Sequence, residues 1–229
     1  MIIRKWEELP EKIRKEEIKP YYDILRKRRI SLFSKRVFDV VVALGMLIML
    51  LPMFLVLAIA IKIDSNGPVF FRQVRVTQYG KEFKIYKFRT MVVSAEKMGT
   101  QVTVENDNRI TKVGNFIRDY RLDEIPQLLN VLNGTMSFVG TRPEVPKYVK
   151  EYTPEMYATL LLPAGITSLA SIKYKDEAEL LSGAIDPDKT YVEKVLPKKM
   201  KYNLQAIKKF SFWGDIKLMF MTLGAVIEN

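Results

Sequence analysis

The chain has 229 residues and a formal net charge of +11, and it contains neither cysteine nor histidine. Disulfides, thiolate nucleophiles, Cys-based zinc sites and Ser-His-Asp chemistry are excluded, so acid–base or nucleophilic work falls to Asp, Glu, Lys, Tyr, Ser or Thr. The positive balance points to anionic partners (phosphorylated ligands, anionic lipid headgroups or nucleic acid), and the length fits one domain with or without appendages.

Residues 1–33 mix charge with Trp6, Leu9, Ile13, Ile18, Tyr21, Tyr22, Ile24 and Leu25, and the run Arg26-Lys27-Arg28-Arg29 lies near their end. This suits an amphipathic helix with a polybasic patch on an anionic bilayer; the plainer reading is a solvated charge run. Residues 40–61 read V-V-V-A-L-G-M-L-I-M-L-L-P-M-F-L-V-L-A-I-A-I, without a charge. That is long enough for a membrane span, and its position does not fit a secretory signal. Pro52, near the middle, removes one helical hydrogen bond and crowds the preceding turn. The segment can span with a kink, or break at Pro52 and return to its side of entry. Lys35 and Arg36 before it, and Lys62, Arg72 and Arg75 after it, favour return, because basic flanks tend to stay in the cytoplasm. The expected organisation is an interfacial segment over residues 1–36, a membrane helix over 37–63 and a cytoplasmic domain over 64–229 with C-terminal interface helices.

Beyond the membrane segment, D-S-N-G-P at 64–68 is a turn, and V-F-F-R-Q-V-R-V at 69–76 and E-F-K-I-Y-K-F at 82–88 flank the turn Q-Y-G-K. Together they read as a β-hairpin whose polar positions carry Arg72, Lys84 and Arg89. Residues 108–133 carry Ile110, Val113, Ile117 and Tyr120 at helical spacing, with Gly134 placed to end the helix. S-F-V-G-T-R-P at 137–143 reads as a loop. Helical stretches are expected near 145–157, 176–182 and 191–209, and the apolar, aromatic tail at 210–223 as core helix or a second interface helix. No internal repeat, low-complexity tract or long linker interrupts the chain.

Neither G-x-G-x-x-G nor a Walker A motif is present, so a nucleotide ligand is not held by a standard phosphate loop. Aromatic and basic residues interleave in the hairpin, but the membrane segment argues against nucleic acid. The stretch R-L-D-E-I-P-Q-L-L-N-V-L-N-G at 121–134 places Asp123 beside Glu124, with Arg118 and Arg121 upstream and Arg142 downstream. Three readings fit: a helix cap, a surface ion-pair network, or a phosphoryl-transfer site. In the last, carboxylates hold Mg²⁺ or attack phosphorus while arginines take phosphate charge.

The chain resembles the bacterial sugar transferases, the monotopic polyprenyl-phosphate phosphoglycosyl transferases. The resemblance rests on K-R-V-F-D-V, the apolar segment with its proline, D-S-N-G-P-V-F-F-R-Q-V-R-V, F-K-I-Y-K-F-R-T-M, N-R-I-T-K-V-G-N-F-I-R and R-L-D-E-I-P-Q-L-L-N-V-L-N-G-T-M-S-F-V-G-T-R-P. These ordered blocks cover about half the chain. Thr141 stands where the family loop has proline; in P-A-G-I-T-S-L, Ala164 intrudes and Ser168 replaces a glycine.

The resemblance implies a mostly helical α+β fold: a monotopic membrane protein with a re-entrant membrane helix broken at Pro52, a small β-hairpin and amphipathic interface helices. It implies transfer of a hexose-1-phosphate from a UDP-sugar to undecaprenyl phosphate, with UMP leaving, on the cytoplasmic face of the bacterial inner membrane. Asp123 would attack phosphorus and form a phosphosugar–aspartyl intermediate. Glu124, with Asp123, would bind Mg²⁺ or assist the second step. Arg118 and Arg142 match positions near phosphate, and Arg89, Arg109 and Lys112 are further candidates for substrate contact. Because the nucleophile must be ionised, cations are expected beside the pair. Expected partners are the two substrates and anionic bilayer lipids, with monomer and homodimer both open and no nucleic acid. The rival reading is a non-enzymatic membrane-anchored scaffold; a polytopic transferase is disfavoured by the single long apolar segment.

Overall fold

The computed structural model describes residues 3–93, 95, 107–174, 184 and 186–227. The described residues are mostly helical, with two small sheets. A short helix, α1 (Lys19–Lys27), leads into α2 (Arg29–Asp64), 36 residues long. At 1.5 Å per residue α2 is about 54 Å in length, well beyond a hydrocarbon core of about 30 Å. Among the described residues it is the one helix long and apolar enough to cross a membrane.

Helical geometry continues through Pro52, so the expected break in the chain is absent. The proline costs one backbone hydrogen bond, and the helix-forming Leu51 and Met53 beside it keep the ladder going on either side. One stripe of α2 packs on the rest of the protein from end to end. Before Pro52, Ala43, Met46 and Leu50 join a cluster with Phe83, Leu128, Val131 and Phe138. After it, Phe54, Leu57 and Ile61 join Phe70, Phe88 and Ile117. The opposite stripe, including Ile30, Val41, Ile48, Val56 and Ile63, is exposed.

The hairpin forms as the alternation predicts. Strands β1 (Phe70–Val76) and β2 (Glu82–Phe88) pair antiparallel, Phe71 opposite Lys87. Its turn places Tyr79 and Gly80 at φ +60° and +73°; glycine takes this region at no steric cost.

The pattern over 108–133 does not form one helix. It divides into α3 (Lys112–Asp119), a 3₁₀ turn at Leu122–Glu124 and α4 (Gln127–Leu132). Arg121, at φ +53°, reverses the chain between α3 and the turn, and Pro126 precedes α4. Gly134, at φ +82°, follows α4 as expected.

The stretch read as a loop contains β3 (Met136–Val139), which pairs in parallel with β4 (Ala164–Thr167). Between these strands lie α5 (Pro146–Val149) and a 3₁₀ helix at Glu155–Leu161, where the pattern suggested one helix over 145–157. Pro154 lies between them, and a proline disfavours helix at the preceding residue. Then come α6 (Leu169–Lys173), α7 (Pro187–Thr190), a π-turn at Tyr191–Val195, α8 (Leu196–Lys208) and α9 (Phe212–Ile227). The helix expected at 176–182 lies outside the described residues.

The N-terminal segment differs most from expectation. Its apolar side chains face the protein: Leu9, Ile13, Ile18, Tyr21, Tyr22 and Leu25 are buried in one core with Leu161, Leu196 and Met200. Each full burial of a large apolar side chain stabilises by about 1.5–3 kcal/mol, so these residues form a strap on the core. Arg26 through Arg29 remain exposed, and α2 starts among them rather than at residue 37.

Candidate active site

Three local devices bring the site together. The first is β2, where strand alternation puts Phe83, Ile85 and Lys87 on one face. Phe83 and Ile85 are buried, so Lys87 is carried inward over the 3₁₀ turn. Its Nζ lies 3.2 Å from Asp123 Oδ2 and 2.9 Å from Glu124 Oε1.

The second device is the left-handed Arg121. This conformation is uncommon for a residue with a Cβ. It lifts Leu122–Glu124 off the end of α3 and presents both carboxylates to the same side. The helix that follows starts at Gln127 without a side-chain cap, so Asp123 is not the helix cap that the sequence also allowed.

The third is the loop after β3. Gly140 N donates to Thr167 O at 3.0 Å and Gly165 N to Thr141 O at 2.9 Å. The backbones approach so closely that a Cβ on Gly165 would lie 2.2 Å from Gly140 N. Thr141, the departure from the expected proline, is held here through its carbonyl. From this loop Arg142 donates through Nη1 to Glu124 Oε2 at 3.3 Å and through Nη2 to Glu124 Oε1. Nη1 also meets Ile166 O at 3.4 Å.

Burial alone would push the Glu124 carboxyl up. The Arg142 and Lys87 charges, with hydrogen bonds from both, reverse this and hold it well below the usual carboxylate range. The Glu124 charge in turn raises the Arg142 guanidinium against the cost of burial. Glu124 is therefore an anion under all ordinary conditions, and the site is a compact set of alternating charges.

The other candidates stand elsewhere. Arg89 donates to Asn66 O and Ser65 O, each at 2.6 Å, and to Ile61 O at 3.3 Å, so its guanidinium closes the C-terminal end of α2. Arg109 pairs with Asp107 at 2.5 Å and donates to Ala95 O. The hydrogen bond from Arg109, aided by the charge of Arg118, holds the Asp107 carboxyl down to about 2. Arg118 lies in the last turn of α3, where its charge acts on Asp107, and Lys112 is exposed at the start of α3. Pro52 lies within α2, away from the dyad in sequence and in the opposite half of that helix from Lys35 and Arg36.

Lys87 is the residue that sequence reasoning passed over as one of many basic positions. A lysine in phase with two apolar residues of an alternating strand was the available signal. Arg75 was passed over similarly. It donates to Pro143 O at 3.1 Å, beneath the Arg142 loop, and burial lowers its guanidinium.

No group of three or more metal-ligating side chains occurs among the described residues. The dyad offers two carboxylates, the donor type and number that suit Mg²⁺ completed by substrate phosphates and water.

A family model described as bacterial sugar transferase matches residues 30–229. The chain belongs to this family. It is 38% identical over 199 residues to a UDP-glucose:undecaprenyl-phosphate glucose-1-phosphate transferase of Escherichia coli, covering 85% of this chain and 40% of the relative. It is 36% identical over 204 residues to a UDP-N-acetylgalactosamine-undecaprenyl-phosphate N-acetylgalactosaminephosphotransferase of Aeromonas hydrophila, covering 87% and 45%. Against a Caulobacter vibrioides protein named as the glucose enzyme it is 34% identical, covering 85% of this chain and 70% of the relative. The chain thus spans less than half the length of the first two relatives.

Proposed function

We propose that the protein transfers a sugar-1-phosphate from a UDP-sugar to undecaprenyl phosphate on the cytoplasmic face of the bacterial inner membrane. This would be the first membrane step in making a surface glycan such as an exopolysaccharide, lipopolysaccharide or capsule. The observation that carries the reading is the convergence of Lys87 and Arg142 on Asp123–Glu124 in a chain without histidine or cysteine.

A carboxylate oxygen of Asp123 attacks the phosphorus that bears the sugar. The bond from that phosphorus to the UMP oxygen breaks, and UMP leaves with the electron pair. An oxygen of undecaprenyl phosphate then attacks the same phosphorus. The aspartyl–phosphorus bond breaks, Asp123 returns as carboxylate, and the sugar is left on a polyprenyl diphosphate. Lys87 and Arg142 oppose the repulsion between a carboxylate and a diphosphate and stabilise charge on the transferring phosphoryl group. Glu124 and Asp123 would hold Mg²⁺, which when bound neutralises phosphate charge.

Helix α2 dips into the membrane without a break at Pro52 and keeps both of its ends on the cytoplasmic side. The support is its packing: both sides of Pro52 lie on one soluble body, while the exposed stripe is apolar. A spanning helix would leave one half without that body. Trp213, Phe220 and Leu223, exposed on α9, extend the apolar surface.

The test is UMP release by the detergent-solubilised protein with Mg²⁺, undecaprenyl phosphate and a panel of UDP-sugars. UMP from one sugar, abolished in Asp123→Asn, with a phosphosugar adduct by intact mass in the wild type, is the expected result. Neither UMP nor adduct from any sugar favours the scaffold reading.

A further inference from the structure

We infer that Glu144, clamped by Tyr191 and Lys199, is a positioning residue that sets the loop carrying Arg142 and so the placement of Arg142 against the Asp123–Glu124 pair. The inference rests on the transfer reaction proposed above. Glu144 is 7% exposed and takes no part in the chemistry just described. A buried carboxylate is costly unless it is paired, and its partners come from a distant part of the chain. Tyr191 donates to Glu144 Oε1 at 2.5 Å. Lys199 Nζ lies 3.6 Å from the same oxygen and donates to the Tyr191 hydroxyl at 3.1 Å.

The local geometry is specific. Tyr191 opens the π-turn at Tyr191–Val195, a form that appears mostly as single turns and often at functional sites. Its ring lies 4.5 Å from that of Tyr148, so the hydroxyl has a fixed direction. At the loop itself, Val76 N donates to Glu144 O at 2.9 Å and Arg75 to Pro143 O at 3.1 Å. At the other end Gly165 N holds Thr141 O at 2.9 Å. Arg142 sits midway between these two anchors. The β4 anchor is backbone alone; the Glu144 end adds to its bonds from Val76 and Arg75 two side chains, Tyr191 of the π-turn and Lys199 of α8. Those elements thereby reach the catalytic dyad through one carboxylate.

The test combines two readouts on Tyr191→Phe, which removes the hydroxyl and keeps the ring. The first needs no substrate: hydrogen exchange at the amides of Val76 and Gly165, which donate to the loop. Losing one net hydrogen bond should speed their exchange about five- to ten-fold. The second is a double-mutant cycle on kcat/KM with Arg142→Lys. Tyr191→Phe should lower kcat about ten-fold with KM little changed, and adding it to Arg142→Lys should cost less than the product of the two single losses, since both act through one guanidinium. Unchanged exchange, or losses that multiply, would overturn the positioning role. If the wild type releases no UMP, the reaction is wrong and the exchange result alone decides whether Tyr191 sets the loop. Should Tyr191→Phe fail to fold, Glu144→Gln, which keeps an acceptor and removes the charge, is read the same way.

Discussion

Lys87 Nζ stands 3.2 Å from Asp123 Oδ2, joining an inward position of the hairpin to the turn that carries the nucleophile. The lysine is the one hairpin residue found on both carboxylates, and its charge lies where repulsion between Asp123 and an incoming diphosphate would build. Removing a comparable preorganised charge costs about 10²–10³ in kcat. Lys87→Met should show that loss in UMP release, with Lys87→Arg recovering part of it. A loss confined to KM would place the lysine on the substrate alone.

Glu124 makes a pH prediction of definite sign. Its folded-state pKa lies well below the unfolded value of about 4.3. A depressed carboxylate contributes stability that is complete above the unfolded pKa and is lost as pH falls through the folded one. Glu124→Gln should therefore be less stable than wild type from about pH 5 upward, with the gap closing below about pH 4. Thermal melts across pH 3–7 measure it. A gap that widened on acidification would mean the Arg142 and Lys87 contacts do not act on Glu124 in solution.

The sequence exposed some of this and hid the rest for physical reasons. The hairpin was legible because alternation and a glycine turn are local signals. The long helix was legible from its run of apolar residues. The dyad was legible as a motif and Arg142 as its downstream arginine, but Lys87 was not. Lys87 and Arg142 reach it through pairings of distant residues, and the parallel pair Met136–Ala164 leaves no periodicity in four-residue strands. The split of 108–133 turned on a single backbone angle at Arg121, which an arginine does not announce. The N-terminal strap shows the same limit. An apolar face looks alike whether it meets a bilayer or a protein core, and only the fold places Leu196 and Met200 against it.

Arg89 separates a structural role from a phosphate-binding one. Its guanidinium serves the carbonyls of Ile61, Ser65 and Asn66 at the end of α2. Arg89→Met leaves them without that donor, at a cost of about 1–3 kcal/mol. The melting temperature should drop by several degrees, while kcat per folded molecule stays within about three-fold. A hundred-fold fall in kcat at unchanged stability would instead put Arg89 on the substrate.

The absence of native cysteine makes the topology of α2 directly measurable. Arg28→Cys and Asn66→Cys mark its two ends, both exposed. In inverted inner-membrane vesicles a membrane-impermeant maleimide should label both, and in right-side-out vesicles neither. Labelling of one end from each side would establish a spanning helix and remove the support that packing gives to re-entry.

Lys35 and Asp215 tie α2 to α9 at 2.6 Å, and Lys35 also donates to Val139 O at 2.8 Å. Burial raises the Asp215 carboxyl, Lys35 lowers it, and nearby Asp39 raises it again. Lys35→Met removes the lowering influence and leaves a buried carboxylate without its cation, which costs about 3–5 kcal/mol at neutral pH. A raised carboxylate contributes stability at low pH that is lost as pH rises through its folded pKa. The defect in Lys35→Met should therefore shrink on acidification from pH 7 toward pH 5, at higher pH than the closing of the Glu124→Gln gap. Adding Asp215→Asn to Lys35→Met should recover stability at pH 7 and flatten the pH response. Melts of the single and double variants at both pH values decide it: a defect unchanged by pH or by the second substitution would mean that the lysine acts through its bond to Val139 O and not through its charge on Asp215.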